Sequence, residues 1–336
     1  MGASASFVAR SSGFADRGAF GSAGDSLGHR SRGAGFGVLE PFVSEAGVSD
    51  VFVNPDGAVW CDRGDGAERA EGIRIPAGEA RDLAVRLIAL GGRHVDEATP
   101  CVDVRLGAGV RVHVVLPPVA TGGAAISIRL QRERPIGFDE LVADSFFSAV
   151  PAEQVRELVQ RRANLLITGA GGSGKTTLLG ALLATAPNDE RIVVLEDVAE
   201  LRIAHPHVVA LEARQPNLEG AGAIGLERLV REALRMRPDR LVVGECRGAE
   251  VRELLAALNT GHDGGAGTLH ANSLADVPAR LEALGALAGL SSSGMARQAV
   301  SAFEAVLHVE RTPSGRRLAA LGRLALDRRG RLVVTA

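Results

Sequence analysis

A glycine-rich segment at residues 169–177 contains Lys175, the only lysine of the chain. It reads Gly-Ala-Gly-Gly-Ser-Gly-Lys-Thr-Thr, follows an apolar run at 165–168, and leads into the apolar spacing of a helix at 175–184. A strand, a glycine loop and a helix in this order bind nucleoside triphosphates through backbone N–H groups and a lysine ammonium. The predicted phosphate ligands are Gly169, Gly171, Gly172, Ser173, Gly174, Lys175, Thr176 and Thr177.

Carboxylates follow two apolar stretches further along the chain. Glu196 and Asp197 come after the stretch 191–195, and Glu245 comes after 240–244. A carboxylate at the end of a buried strand beside the loop can hold Mg²⁺ through water, or orient the water that attacks the γ-phosphate. The sequence leaves open whether Glu196 or Glu245 is the catalytic base, and such acids are also found as solvated charges at strand ends. The predicted Mg²⁺ contacts, made through water, are Thr176, Asp197 and Glu245.

Two histidines enclose a glycine-rich turn later in the chain. His262 stands at its start and His270 at its end, in Thr-Leu-His-Ala-Asn-Ser. A histidine near the γ-phosphate can respond to its presence, and we predict this catalytic role for His270. An ordinary loop histidine is the alternative for either residue.

Arginines crowd both sides of Glu245. Pairing with acids at a subunit interface is the interpretation we favour, and a nucleic-acid patch is the alternative. The residues concerned are Arg231, Arg235, Arg237, Arg240 and Arg247.

The chain of 336 residues is long enough for about two domains. Strands in hairpins with few helices indicate a first, α+β domain, whereas alternating strands and helices indicate a second domain with a mostly parallel sheet. Predicted strands of the second domain are 164–168, 191–195, 207–212, 240–244 and 267–270, and its last helix is predicted at 295–306, before a small strand region from Leu307. The predicted organisation is a disordered tail at 1–36, an α+β domain at 37–130, a linker at 131–150 and the second domain at 151–336.

The composition of the chain disfavours some classes of protein function. The formal net charge is −2 and aromatic residues make up 3% of the chain, which argues against a broad nucleic-acid surface. The cysteines are far apart, odd in number and without metal-ligand spacing, so we expect reduced thiols in a cytoplasmic protein. No apolar run approaches the length of a membrane span, so any membrane contact is expected to come through partner proteins.

The order of the motifs resembles the secretion ATPase superfamily, the motors of type II and type IV secretion and of type IV pili. Residues 38–310 carry the resemblance, and the segments 259–264 and 269–273 look most like the tight-adherence (Flp) pilus branch, which includes conjugal-transfer-associated ATPases. The motifs are Gly-x4-Gly-Lys-Thr, Leu-Glu-Asp-x-x-Glu-Leu, Arg-Pro-Asp-Arg-Leu-Val-Val-Gly-Glu-x-Arg-Gly, Thr-Gly-His-Asp-Gly and Leu-His-Ala-Asn-Ser.

The resemblance implies a fold of the α/β class: a RecA-like P-loop NTPase domain with a mainly parallel sheet, preceded by a smaller α+β N-terminal domain. It also implies that arginines of the first domain reach the nucleotide, with surface charge as the alternative for each. The implied roles are Walker A for Lys175 and Thr176, the Asp box for Glu196 and Asp197, the Walker B glutamate for Glu245, the His box for His270, and nucleotide binding for Arg105 and Arg129.

We therefore expect a cytoplasmic ATPase that binds ATP and Mg²⁺ and powers pilus assembly or protein secretion across the inner membrane. The resemblance implies a homohexamer that docks on inner-membrane platform proteins and so lies peripherally at that membrane. An ATP-driven DNA translocase of conjugative transfer is the main alternative. A small-molecule kinase and a nucleotide-binding regulator without turnover are two others.

Overall fold

The computed structural model describes residues 35–64, 66–107, 109–130, 134–214 and 221–335. The disordered tail predicted at 1–36 lies outside these residues except for its last two positions, of which Phe36 is buried. The described chain divides into two compact units, the first ending at Leu130 and the second beginning at Arg134.

The first unit is a sheet in which every described strand pairs antiparallel with its neighbours, in the order β3-β2-β1-β6-β5-β4. The strands are β1 (Asp50–Val53), β2 (Ala58–Asp62), β3 (Ala67–Arg74), β4 (Cys101–Leu106), β5 (Val110–Val115) and β6 (Ala125–Leu130). The helices are α1 (Glu40–Val43), which follows a 3-10 turn at Gly37–Leu39, and α2 (Ala77–Leu90).

Alternation of apolar and polar side chains builds this unit. The valines at 110, 112 and 114 of β5 are buried in one cluster with Leu83 and Leu87 of α2, whereas the residues between them are only half-buried. Such alternation is typical of a sheet with one face packed on a core. Strand β3 is not predicted from its sequence, Ala-Glu-Arg-Ala-Glu-Gly-Ile-Arg, because its residues are mostly exposed and lack that alternation.

The second unit is a larger sheet in the order β14-β13-β12-β7-β11-β10-β8-β9. The strands are β7 (Leu165–Gly169), β8 (Ile192–Glu196), β9 (Val208–Glu212), β10 (Arg240–Val243), β11 (Ala266–His270), β12 (Ala305–Thr312), β13 (Gly315–Leu326) and β14 (Leu332–Thr335). The helices are α3 (Phe138–Ala143), α4 (Ala152–Gln160), α5 (Lys175–Leu183), α6 (Leu226–Leu234), α7 (Glu250–Leu258), α8 (Val277–Leu287), after a 3-10 turn at Leu274–Asp276, and α9 (Ser292–Ala302).

The strands from β12 to β9 in this order run parallel, and β13 and β14 are antiparallel additions. Strands β7, β8 and β10 are buried along their whole length, as expected for parallel strands that helices cover on both faces. Leu166 packs with the cluster that contains α6 to α9, and Ile167 packs with the cluster that contains α3 to α5. The predicted α/β fold with a mainly parallel sheet is confirmed.

Two segments differ from the prediction. The interval 131–150, interpreted as a linker, contains helix α3, and Phe138, Phe146 and Phe147 of this interval are buried in the core of the second unit. The predicted helix at 295–306 ends at Ala302, because Phe303 adopts an extended backbone. Strand β12 then begins before Leu307 and joins the central sheet beside β7, rather than forming a small separate region.

Candidate functional site

The glycine loop connects β7 to α5 and has the tight conformation that only glycine tolerates. Gly169, Gly172 and Gly174 have φ angles of 152°, 69° and 104°, which disfavour residues with a Cβ atom. A Cβ atom on Gly169 would lie 2.3 Å from the carbonyl oxygen of Val309 and 2.6 Å from the Ser173 hydroxyl. The loop is therefore closed on itself and against β12.

Lys175 is the first residue of α5, and its side chain reaches back over this loop. Its ammonium donates hydrogen bonds to the carbonyl oxygens of Gly169 and Ala170, both at 2.9 Å. Burial lowers the pKa of this ammonium below its usual value; the Glu245 charge opposes the shift and Arg247 adds to it. The side chain is 9% exposed, so its charge acts in a partly desolvated site, where an anion is attracted more strongly than in water.

The Ser173 hydroxyl provides a test of whether the loop suits a phosphate. It is buried and has no hydrogen-bond partner within the described chain, although buried polar groups almost always have one. It lies 2.6 Å from the position that a Cβ atom would take on Gly169, whose carbonyl oxygen accepts a hydrogen bond from the Lys175 ammonium, and α5 begins two residues after it. A phosphate oxygen would accept a hydrogen bond from this hydroxyl, and the positive end of the helix dipole favours the same charge. The residues present therefore fit a phosphate group.

The predicted acids lie at the same sheet edge as the loop. Strands β7, β11, β10 and β8 are neighbours and parallel, so their carboxyl ends meet where α/β sheets bind ligands. Glu196 ends β8, and Glu245 follows the last residue of β10 by two positions. The backbone N–H of Gly244 donates to the carbonyl of Leu195 at 2.8 Å, which continues the pairing of the two strands up to both glutamates.

Glu196 is buried, and its Oε1 atom accepts hydrogen bonds from the backbone N–H groups of Glu200 at 3.2 Å and Leu201 at 2.9 Å. Burial raises the pKa of this carboxyl to about 7 in spite of these bonds. A Cβ atom on Gly244 would lie 2.5 Å from its Cγ atom. Glu196 thus fixes the turn after β8 against the end of β10.

Glu245 is the more accessible of the two glutamates, with a side chain 30% exposed. It accepts a hydrogen bond from Nε of Arg247 at 2.7 Å and a second one from Nη2 of the same guanidinium. Burial lowers the pKa of Arg247, but the hydrogen bond and charge of Glu245, with the charges of Asp197 and Glu200, outweigh burial and raise it. Arg247 is therefore held among the acids of the site.

The expected interface pairing is wrong for Arg240, which is buried within the second unit; Arg247 pairs with Glu245 of its own unit, and its pairing at an interface stays a prediction. Arg240 is 1% exposed; its guanidinium donates to Glu190 at 2.5 Å and to the carbonyl oxygen of Val159 at 2.9 Å. The spacing Glu-x-Arg in the sequence could have indicated that Arg247 pairs with Glu245. No pattern in the sequence indicates that Arg240, at the start of an apolar strand, is buried.

His270 ends β11 directly beside Gly169 in the register of β7 and β11. Its Cε1 atom lies 3.7 Å from the position that a Cβ atom would take on Gly171, so the ring is close to the glycine loop. His262 has another environment: its backbone N–H and its Nδ1 atom both lie within hydrogen-bond distance of the Ala257 carbonyl in the last turn of α7. His262 therefore fits the alternative of an ordinary loop histidine. Of the two histidines, His270 is the one that lies beside the glycine loop.

No group of three or more His, Cys, Asp and Glu side chains in the described ranges is placed to hold a metal ion. Mg²⁺ needs no such cage, because it is usually bound by one or two protein groups, by water and by substrate phosphates. Thr176 in the first turn of α5, with Asp197 and Glu245 after strands at the sheet edge, carries oxygen donors of the kind that such a site uses.

The predicted arginines of the first unit lie in one row across its sheet. Arg129 of β6 pairs in register with Arg111 of β5, which pairs with Arg105 of β4. Nε of Arg129 donates to Oδ1 of Asp50 at 3.0 Å, and Arg111 contacts Asp103 at 3.4 Å. The strand register thus brings together arginines that are 24 residues apart in the chain, from 105 to 129.

A phosphate loop after β7 of a mainly parallel sheet, with acids after β10 and β8 at the same sheet edge, defines a P-loop NTPase of RecA-like fold. Comparison with known proteins then narrows the class. The chain belongs to the family described as type II/IV secretion system protein, whose profile matches residues 33–309. The predicted secretion ATPase superfamily is confirmed.

Relatives and solved structures agree with this assignment. A Mycobacterium tuberculosis protein named for conjugal transfer is 48% identical over 289 residues, which are 84% of this chain and 82% of that protein. The conjugal transfer protein TrbB of Rhizobium radiobacter is 34% identical over 281 residues, 82% of this chain and 83% of TrbB.

Among solved structures, the pilus retraction motor PilT with bound ADP has the same fold, with a TM-score of 0.58 and 21% identity over 88% of this chain and 80% of that one. The Legionella pneumophila ATPase DotB has a TM-score of 0.54 and 20% identity over 85% of this chain and 75% of DotB. Within the described residues, no helix combines the length and apolar character that crossing a membrane requires.

Proposed function

We propose that the protein is a Mg²⁺-dependent ATPase that works as the motor of pilus assembly or of protein secretion across the inner membrane. The observation that supports this most directly is that a loop suited to phosphate binding and a carboxylate lie at the same edge of the sheet. The loop offers the Lys175 ammonium and the unpartnered Ser173 hydroxyl; burial lowers the pKa of Lys175, and the Glu245 charge is close enough to oppose that shift.

The residues divide the reaction between them. The loop amides from Gly169 to Gly174, with Lys175, Thr176 and Thr177, bind the phosphates of ATP. Mg²⁺, held by Thr176 and through water by Asp197 and Glu245, supplies charge neutralisation at the phosphates. Phosphoryl transfer then depends mostly on positioning and charge stabilisation.

Glu245 is the glutamate that we assign as catalytic base. Its carboxylate is partly accessible and is oriented by Arg247, which suits a group that must orient a water molecule. Glu196 accepts hydrogen bonds from two backbone N–H groups and packs against Gly244. It therefore positions the end of β10, from which Glu245 projects. His270, beside the loop, is assigned to the γ-phosphate.

Three features come from the family rather than from the geometry. Arg105 and Arg129 are proposed as nucleotide ligands, and a homohexamer as the working assembly. We further propose a cytoplasmic protein, peripheral at the inner membrane through platform proteins of a pilus or secretion system. The names of the relatives place two of them in conjugal transfer, which supports a role in such a membrane-spanning system.

The test is steady-state ATP hydrolysis with Mg²⁺ for the wild type and three variants. Lys175→Ala is expected to abolish ATP binding, and Glu245→Gln to keep binding while turnover falls by about 10²–10⁴-fold, the usual value of a general base. Glu253→Gln is the matched control, because Glu253 is on α7 and pairs with Arg231 away from the loop. Wild-type turnover in Glu245→Gln would show that the catalytic assignment is wrong.

An ATP-driven DNA translocase is the second candidate, since relatives carry conjugal transfer names. It predicts that DNA stimulates hydrolysis and that the stimulation falls steeply with salt, because phosphate contacts release counterions. The net charge of −2 favours the secretion motor, and hydrolysis that DNA does not change would exclude the translocase. Release of phosphate without any acceptor would likewise exclude a kinase.

A further inference from the structure

The hairpin formed by β12 and β13 is seated directly on the phosphate loop. Strand β12 runs parallel to β7, with His308 opposite Thr168 and Val309 opposite Gly169. The Thr168 hydroxyl and Nδ1 of His308 lie 2.9 Å apart. The Val309 carbonyl oxygen lies 2.3 Å from the position that a Cβ atom would take on Gly169. The hairpin and the start of the loop are therefore in van der Waals contact.

Arg316, the second residue of β13, reaches the far side of the same loop. Its Nε atom donates a hydrogen bond to the carbonyl oxygen of Gly172 at 3.0 Å. Its Cδ atom lies 3.2 Å from the position that a Cβ atom would take on Gly174. The hairpin thus contacts the loop at its beginning and again at its end, although Arg316 and Gly172 are 144 positions apart in the chain.

The bond at Gly172 determines the orientation of the peptide group between Gly172 and Ser173. In a trans peptide the carbonyl oxygen and the following N–H point in opposite directions. With the carbonyl directed to Arg316, the N–H of Ser173 points across the loop and donates a hydrogen bond to the carbonyl oxygen of Ala170 at 3.3 Å. A flip of this peptide, which glycine at 172 would permit, would break the bond from Ser173 to Ala170 and turn a carbonyl oxygen into the loop instead of an N–H.

We propose that Arg316 is a positioning residue for ATP binding, which holds the 172–173 peptide with its N–H directed into the loop, on the Ala170 carbonyl oxygen that the Lys175 ammonium also contacts. The inference rests on the proposed ATPase function. Arg316 acts through the loop backbone, so its loss weakens ATP binding without removing a group from the chemical step. The expected effect of Arg316→Ala is a rise of about fivefold in KM for ATP, the typical worth of one net hydrogen bond, with kcat unchanged within about twofold.

Arg316→Gln separates orientation of the peptide from simple charge attraction. The glutamine Nε2 atom stands at the same place along the side chain as the arginine Nε atom, so this variant keeps the N–H donor and loses the charge. A KM near that of the wild type is expected. Arg317→Ala is the matched control, because Arg317 is the neighbouring exposed arginine and contacts Glu310 instead of the loop.

The experiment measures KM, kcat and the thermal unfolding temperature for the wild type and these variants. A raised KM in Arg316→Ala that Arg316→Gln restores, with unchanged unfolding temperature and unchanged Arg317→Ala, supports the proposal. It is overturned by a wild-type KM in Arg316→Ala, by equal rises in the alanine and glutamine variants, or by a fall in kcat together with the unfolding temperature. Absence of hydrolysis in the wild type would instead overturn the proposed function, and this inference with it.

Discussion

Replacement of Glu196 by glutamine is expected to stabilise the protein at alkaline pH and to leave its stability unchanged at acidic pH. The carboxyl is 6% exposed, and burial raises its pKa from 4.5 to about 7. Its Oε1 atom accepts the backbone N–H groups of Glu200 and Leu201. Glutamine keeps an oxygen that accepts both bonds, and it removes the negative charge that burial disfavours.

The magnitude follows from the two pKa values. Between pH 4.5 and about pH 7, the folded chain keeps a proton on Glu196 that the unfolded chain releases. Because the folded state then binds more protons, the free energy of unfolding falls as the pH rises through this window. One pKa unit is worth about 1.4 kcal/mol, so the change from 4.5 to about 7 corresponds to about 3 kcal/mol above pH 7. The glutamine variant is expected to gain up to this amount there.

The assay is urea denaturation followed by far-UV circular dichroism at about pH 5 and about pH 8, which gives the free energy of unfolding at each pH. Trp60, the only tryptophan, lies in the first unit, so its fluorescence follows that unit separately. Glu157→Gln is the matched control, because it removes an exposed carboxylate from α4. An equal gain at both pH values, or a loss at both, would refute the reasoning, because packing or hydrogen bonding would then explain the effect.

Two further substitutions test the packing around the site. Arg240→Met is expected to cost about 3–5 kcal/mol of stability in urea denaturation, since it leaves a buried Glu190 without its guanidinium; adding Glu190→Gln should recover much of the loss, and full stability in Arg240→Met would contradict this. Gly169→Ala would place a methyl group 2.3 Å from the Val309 carbonyl oxygen. The loop must shift to relieve such overpacking, which costs about 1–3 kcal/mol, and ATP binding must restore its shape. Calorimetry should therefore show ATP affinity reduced by about 5- to 150-fold, and unchanged affinity would refute the argument.

The parts of the site that are contiguous in the chain could be predicted from the sequence. Residues 169–177 form one uninterrupted loop and helix start, and glycine spacing specifies the backbone there. Glu196 and Glu245 could be placed as well, because each follows an apolar strand and the ends of parallel strands meet at one edge. The roles of the individual site residues remain proposals that the variants above test.

Contacts that depend on strand order could not be predicted. Arg316 and His308 reach the loop only because β12 pairs with β7 across more than 130 residues of intervening chain, and no local pattern reports that pairing. Arg240 has the appearance of a surface charge in the sequence. It is buried because Glu190 and backbone carbonyl groups complete its hydrogen bonds, which no periodicity encodes. Helix α3 was missed because it has only six residues, too few for a helical period to be recognised.

The single lysine of the chain is explained by the shape of the space it occupies. The Lys175 ammonium lies 2.9 Å from two carbonyl oxygens of its own loop and is almost fully buried. A compact ammonium on a flexible stem fits such a position, whereas a planar guanidinium with five N–H donors in a fixed fork does not. The guanidinium groups of Arg247 and Arg316 are instead exposed, and each holds one oxygen atom in place, on Glu245 and on Gly172 respectively. Lysine and arginine are therefore not interchangeable here: the position that Lys175 occupies requires a point charge, whereas the exposed positions require directional donors.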